Sequence, residues 1–226
     1  MKFSVIIPVY NEEKTVGEII KRVKAVHYPA NREIIVVNDG STDKSAKIIA
    51  SIPGIIFINN KTNKGKGFTL RTGFKRAKGD IILIQDADLE YNPNDHLKLI
   101  ELLKHDFVDV VYGSRFIAGH HTPRYTFFYF GNILLSFLTK VLYMRNISDM
   151  ETCYKAFKKR ALIKIRLKED RFGFEPEITC KLIKKDFNIL EVPISYESRS
   201  YAEGKKIGFL DGLRAIYILF KYRFFD

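Results

Sequence analysis

The sequence predicts an α/β protein with a mostly parallel central sheet and helices on both faces. Three observations carry this reading. Short runs rich in Ile and Val recur through the first half. Segments with helical spacing and helix-boundary residues separate them. The runs are almost continuously apolar rather than alternating, as expected of strands covered on both faces.

The elements follow in order. A first strand is expected at 3–7 and a helix at about 12–26, with Asn11 at its cap. A second strand at 33–38 leads to a helix at 42–51, with Ser41 as cap. A third strand at 55–59 precedes a helix at 67–78, and Gly79 stands where that helix should stop. A fourth strand at 80–85 precedes a helix at 93–104; Asn92 suits its cap and Pro93 its first position. A fifth strand lies at 108–112. This alternation predicts a doubly wound sheet, whose ligands bind beyond the carboxyl ends of the strands.

The second half is less regular. It offers an apolar-aromatic stretch at 125–144, a strand near 152–157, a helix at 175–186 with Pro176 near its start, and a strand at 189–196. A polar loop at 197–208 precedes a final helix with Phe209, Leu213, Ile216, Tyr217, Phe220 and Phe224 on one face. No repeat or low-complexity linker interrupts the chain, so 1–226 reads as one domain.

Composition narrows the classes. The chain has 226 residues, 46% hydrophobic and 28% charged, which excludes disordered and collagen-like classes. That length buries a core without disulfide staples. Two cysteines, Cys153 and Cys180, make no disulfide framework and read as small buried residues of a protein in a reducing compartment. The amino-terminal apolar run is too short for a signal peptide and is followed at once by acids. The longest uncharged stretch is the fifteen residues 125–139, broken by Asn132 and Ser136. A spanning helix needs about 20 apolar residues. A cytoplasmic protein with no transmembrane helix is therefore expected.

The net charge is +12, from 38 basic and 26 acidic residues. Residues 1–113 carry 17 basic and 14 acidic side chains, and residues 114–226 carry 21 and 12. An anionic partner is expected to meet mostly the second half.

Chemistry is sought at the strand ends. The fourth strand runs into Asp86-Ala87-Asp88-Leu89-Glu90. Carboxylates two apart can share a hard divalent cation. An EF-hand is excluded, because Tyr91 and Leu97 stand where Gly and Glu would be needed. A solvated acidic turn is the alternative. Asp39, ending the second strand, suits either a nucleoside or the cap of the next helix. Tyr10 suits either base stacking or core packing. Residues 61–78 hold seven basic side chains and no acid, interrupted by Gly65 and Gly67. They match neither the dinucleotide fingerprint nor a P-loop. They read as a flexible basic loop over an anion, or as a solvated helix face. Arg115, Arg124 and the 199–206 loop offer guanidinium and ammonium groups for phosphate.

Taken together, FSVIIPVYNEE, NDGSTD, NKGKG, the GD strand leading to DADLE, and GSRF resemble family 2 glycosyltransferases with the GT-A fold. The likeness is strong over residues 1 to about 118. The remainder, with DMETCYKAF, FGFEPEI and EVPISYESRSYAEGKK, resembles the branch of dolichol- or polyprenyl-phosphate mannose and glucose synthases. The resemblance implies a nucleotide-sugar half at 1–118 and an acceptor half at 119–226. Pro8, Tyr10, Glu12 and Asp39 would line the base and ribose pocket. Asp86 and Asp88, flanking Ala87, would hold Mg²⁺ or Mn²⁺ on the nucleotide diphosphate, with Glu90, where the family often has Gln, as a further ligand. Arg115 and Arg124 would meet the acceptor phosphate, and Arg199 and Lys205 the donor phosphates. Asp88 and Arg115 would be the catalytic pair.

The implied activity is inverting, metal-dependent transfer of mannose or glucose from GDP-mannose or UDP-glucose to dolichyl or polyprenyl phosphate. A phosphate nucleophile is already mostly anionic at neutral pH and scarcely needs a base. A glycan hydroxyl acceptor would need one, from Asp149 or Glu151. Residues 125–144 and 209–224, flanked by Arg124, Lys140, Arg145, Lys221 and Arg223, would lie in an anionic membrane surface as peripheral helices; ordinary core helices are the alternative. A basic nucleic-acid-binding module is disfavoured, since Asp86 and Asp88 would repel phosphates without a metal. The oligomeric state is left open.

Overall fold

The computed structural model describes residues 1–117, 126–199 and 208–225, with the backbone alone for 126–128. Arg124 and Lys205, both expected at phosphates, lie outside the described residues. Seven strands make one sheet: β1 (Phe3–Val9), β2 (Arg32–Asp39), β3 (Ile56–Asn60), β4 (Ile81–Ile84), β5 (Val110–Ser114), β6 (Lys155–Lys158) and β7 (Ile189–Pro193). Their order is β3-β2-β1-β4-β6-β5-β7. Only β6 runs antiparallel to its neighbours, β4 and β5. The mostly parallel sheet is as expected.

Helices α1 (Val16–Ala25), α2 (Ser45–Ala50), α3 (Lys66–Arg76), α4 (His96–Leu103), α5 (Thr126–Tyr143), α6 (Lys159–Ile163), α7 (Phe174–Lys184) and α8 (Phe209–Phe224) accompany it. The sheet residues divide by alternation. Val5, Ile7, Val36 and Leu83 pack with α1 and α4 residues such as Ile19 and Leu99. Ile6, Val37, Ile82 and Tyr112 pack with α3, α7 and α8 residues such as Leu70, Ile178 and Ile218. Both faces are covered, which is why the strands read as unbroken apolar runs.

One residue opens the site. β1 pairs with β4 only from Phe3↔Ile81 to Ile6↔Ile84, followed by one bond from Gln85 N to Ile6 O. Pro8, two residues on, has no N–H to offer on that side. The ladder stops there while β1 stays paired to β2 through Val9. The two central strands part, and their carboxyl ends frame a crevice.

Several local expectations need correction. The first helix starts at Val16, not at 12. Asn11 sits at φ 51° and does not cap it; its Oδ1 accepts from Thr42 N at 2.8 Å, tying the two strand-end loops together. The cap at Asn92 holds, with Oδ1 accepting from Asn94 N at 3.1 Å, but Pro93 opens a short 3₁₀ turn before α4. The sixth strand begins at Lys155 rather than 152. The five-residue α6 follows it with no spacer, which hides it from periodicity.

Candidate active site

A cavity of about 740 Å³ lies over the carboxyl ends of β1, β2 and β4. Pro8, Tyr10 and Glu12 from β1, Asp39 from β2, Asp86, Ala87, Asp88 and Glu90 after β4, Arg115 after β5, and Arg199 all line it. Every described residue expected in the site is therefore brought together.

Asp39 is buried and does not cap α2. Its carboxylate accepts from Gly65 N at 2.7 Å, Lys64 N at 3.0 Å and Asn63 Nδ2 at 2.9 Å. Ser45 N is capped instead by Asp43 Oδ1 at 2.9 Å. Asp39 thus sets the wall of the pocket by pinning the loop before α3. That loop is not the flexible basic flap considered from sequence. A Cβ on Gly65, at φ +98°, would lie 2.4 Å from Asp170 O, and one on Gly67 2.3 Å from Glu169 O. The glycines serve close backbone packing.

Lys66, from the same basic run, is drawn inward. Its Nζ lies 3.1 Å from Asp86 Oδ1, 3.1 Å from Glu175 Oε1 and 2.7 Å from Cys153 Sγ. Burial works against its charge, but Asp86, Cys153 and Glu175 override it and hold its pKa well above the usual lysine value. Cys180 is buried as expected, whereas Cys153 is half-buried and lines the cavity.

Arg199 closes the acidic side. Its Nη1 lies 3.0 Å from Glu12 Oε2 and its Nη2 3.2 Å from Asp88 Oδ2. Burial raises the Asp88 pKa to about 7, and Asp86 and Glu90 push the same way. Glu90, expected as a further metal ligand, is engaged by the covering segment. It accepts from Tyr196 OH at 2.8 Å and from Arg199 N at 2.7 Å, clamping the 196–199 segment over the site. Among the described residues no three His, Cys, Asp or Glu side chains converge as a metal cage. Asp86 and Asp88 fit a hard cation as two oxygen donors whose charge Lys66 and Arg199 now offset.

Arg115 sits on the far side. Asp149, wholly buried, accepts from its Nε at 2.7 Å and its Nη2 at 2.8 Å. Burial alone would raise the Asp149 pKa, but Arg115 holds it below the usual carboxylate range. Asp149 is spent as a salt-bridge partner and is corrected as a candidate base. Glu191 fixes it in turn, accepting from Ser148 N at 2.8 Å and Asp149 N at 3.1 Å. The guanidinium lies 5.0 Å from the Tyr196 ring centroid, which also steadies it.

The outer wall is apolar. Phe130, Leu134 and Leu135 of α5 and Phe209, Leu213 and Ile216 of α8 line it. The two helices bury one stripe together, with Leu135, Tyr143, Ala215, Ile218, Leu219 and Tyr222 in the core. Their other stripes, Phe137 and Val141 on α5 and Leu210, Tyr217, Phe220 and Phe224 on α8, are exposed. The α8 face picked out by periodicity is mostly this exposed one; the buried stripe is its neighbour. Of the flanking cations, Lys221 is bound to Glu169 at 2.9 Å and Arg223 lies over the Tyr143 ring. No helix among the described residues is long and apolar enough to cross a membrane.

Sequence reasoning missed Lys66, Glu175 and Glu191. Their only signal was charge within otherwise apolar or basic runs, and their partners come from distant segments.

Comparison with known proteins agrees with this geometry. The family model "Glycosyl transferase family 2" matches residues 4–166. A dolichol-phosphate mannosyltransferase of Pyrococcus furiosus is 32% identical over 98% of the chain, which spans 64% of that protein's length. A UDP-N-acetylglucosamine–dolichyl-phosphate N-acetylglucosaminyltransferase of Methanococcus voltae is 29% identical over 95% of the chain and 93% of its own length. The crystal structure of glucosyl-3-phosphoglycerate synthase from Mycobacterium tuberculosis, in complex with Mn²⁺, UDP and phosphoglyceric acid, superposes with a TM-score of 0.76 at 18% identity. That match covers 100% of this chain and 79% of the other.

Proposed function

The chain belongs to glycosyltransferase family 2, and on that premise we propose that it transfers a hexose from a nucleotide sugar to a polyprenyl or dolichyl phosphate at a membrane surface. One observation carries the choice of acceptor. The cavity is polar at the strand ends and apolar where α5 and α8 form its wall, and those helices continue outward as exposed apolar faces. A lipid phosphate has the same two-part character.

The donor half follows from the β1, β2 and β4 ends. Pro8, Tyr10, Glu12 and the loop pinned by Asp39 make the nucleoside pocket. Asp86 and Asp88 would hold Mg²⁺ or Mn²⁺ there, with Glu90 clamping the covering segment rather than ligating. When bound, the cation supplies positive charge to the leaving diphosphate. Lys66 and Arg199 are the chain's own cations beside those carboxylates, and Arg199 is placed to turn to the diphosphate.

The acceptor half centres on Arg115. Asp149 holds its Nε and Nη2, which leaves Nη1 for a phosphate oxygen. A phosphate oxygen attacks the anomeric carbon as the bond from that carbon to the nucleoside diphosphate breaks. The configuration inverts, and the phosphate needs no base. Mannose from GDP-mannose or glucose from UDP-glucose is the donor we favour. The test is transfer of labelled hexose from a panel of nucleotide sugars into polyprenyl phosphate, with Mn²⁺ and with EDTA. Product that is lost with EDTA and with Asp88→Asn supports the reading; no lipid product with any donor overturns it.

A further inference from the structure

Two buried oxygen atoms of residues that line the cavity have no hydrogen-bond partner among the described residues. They are Asn132 Oδ1 and Glu151 Oε1. Asn132 is 6% exposed and sits in α5, followed by Ile133, Leu134 and Leu135. Its Nδ2 donates to Asp149 Oδ1 at 2.8 Å. Asp149 is held ionised by Arg115 and can only accept, so the amide orientation is fixed and Oδ1 is left buried without a donor on a residue that lines the cavity. Glu151 lies two residues beyond Asp149, on the segment leading into β6. Its neighbours do not satisfy it. Glu175 repels it and is itself bound to Lys66. Lys155 is spent on Met150 O, at 2.9 Å, and on Thr152 O. Arg115 turns Nε and Nη2 to Asp149 and makes no bond to Glu151 Oε1.

Buried polar groups are nearly always paired, and exceptions call for a reason. The amide oxygen only accepts, whereas Glu151, whose pKa burial and Glu175 raise, can donate through its proton as well as accept. A partner that both donates and accepts suits the pair. Diphosphate and phosphate oxygens carry almost no protons to give at neutral pH, whereas sugar hydroxyls do. Both orphans also adjoin the Arg115–Asp149 pair, where the transferred group would pass to the acceptor.

We propose that Asn132 and Glu151 form a hydroxyl-binding subsite for the hexose of the donor and so help to select it. The inference rests on the nucleotide-sugar reading above. Its test is calorimetric binding of UDP-glucose and GDP-mannose, and of UDP and GDP alone, with Mn²⁺ present. The full chain is compared with Asn132→Ala, Glu151→Ala and Glu151→Gln. Each Ala variant is expected to bind the preferred nucleotide sugar about tenfold more weakly, the scale of one net hydrogen bond. Affinity for the bare diphosphate should not change, and Glu151→Gln, which keeps an acceptor, should bind the nucleotide sugar as the parent does. A general loss of fold would weaken both ligands alike and would not be rescued by Gln. Equal losses for both ligands, or unchanged affinity for the nucleotide sugar, would overturn the subsite. So would a fall in kcat alone at Glu151, which marks a base. If the unaltered chain binds neither nucleotide sugar nor diphosphate, the functional reading fails, and the subsite with it.

Discussion

At the scale of single residues, the site is a set of carboxylates held in register by cations of the same chain. Arg199 faces Glu12 and Asp88 and stands close to Glu90. Removing it leaves three acids facing one another. Arg199→Met is therefore expected to cost about 2 kcal/mol in EDTA, because acids would lose a partly buried counter-charge. That is roughly 4–8 °C in Tm for a chain of this size. Mn²⁺ should restore the variant more than it raises the parent; an unchanged Tm in EDTA would contradict the role. Glu151 gives a pH dependence. Burial first, then Glu175 and in smaller part Asp149, raise its pKa to about 8, against attraction from Lys155 and Arg115. A folded pKa above the unfolded one means the native state holds the proton more tightly. Its contribution is full below about pH 4 and is lost as pH rises toward 8. Urea midpoints should fall between pH 5 and pH 8.5, and less steeply in Glu151→Gln; equal slopes would contradict this. The residues named from motif were largely legible in sequence: Asp39, Asp86, Asp88, Arg115 and Arg199 all reach one cavity. Their partners were not. Asp149 read as a candidate base until its bidentate bond to Arg115 was visible, and Asn132 registered only as a polar break in an apolar run.

At the scale of elements, glycines and helix faces decide the construction. Gly65 combines a left-handed φ with backbone contact to Asp170. Gly65→Ala is expected to destabilise by about 2 kcal/mol or more, from strain and collision together. A denaturant midpoint like the parent's would refute that packing. The strands were legible because burial on both faces writes itself as unbroken hydrophobicity. Helix starts were less so: Asn11 and Ser41 are capping residues by type, yet tertiary bonds between the two loops claim both. α8 shows the limit of periodicity. It carries two apolar stripes, and only packing against α5 and α7 determines that Ile218, Leu219 and Tyr222 go inside while Tyr217 and Phe220 stay out. If the outer stripes meet lipid, the double variant Phe137→Glu with Phe220→Glu should lose co-sedimentation with anionic vesicles. Its Tm should stay within a degree or two, since both side chains are already exposed. Retained binding would place the membrane surface elsewhere.

At the scale of the whole molecule, the +12 charge is distributed differently from what a count implies. Much of the basic excess of the second half works internally. Arg115 pairs with Asp149, Lys155 is buried against the Met150 carbonyl, Lys181 pairs with Glu177, and Arg214 and Lys221 converge on Glu169 to fasten α8. The count could not separate cations that bind a ligand from cations that hold the fold. The fold does so: among the described residues, Lys66, Arg115, Arg171 and Arg199 line the cavity over the strand ends. The account stands most directly on one measurement: the fate of labelled hexose when the full chain meets polyprenyl phosphate, Mn²⁺ and each nucleotide sugar in turn. The expected result is label in the lipid-phosphate product with at least one donor, abolished by EDTA and by Asp88→Asn. Label reaching only a glycan hydroxyl, or no transfer with any donor, would contradict it.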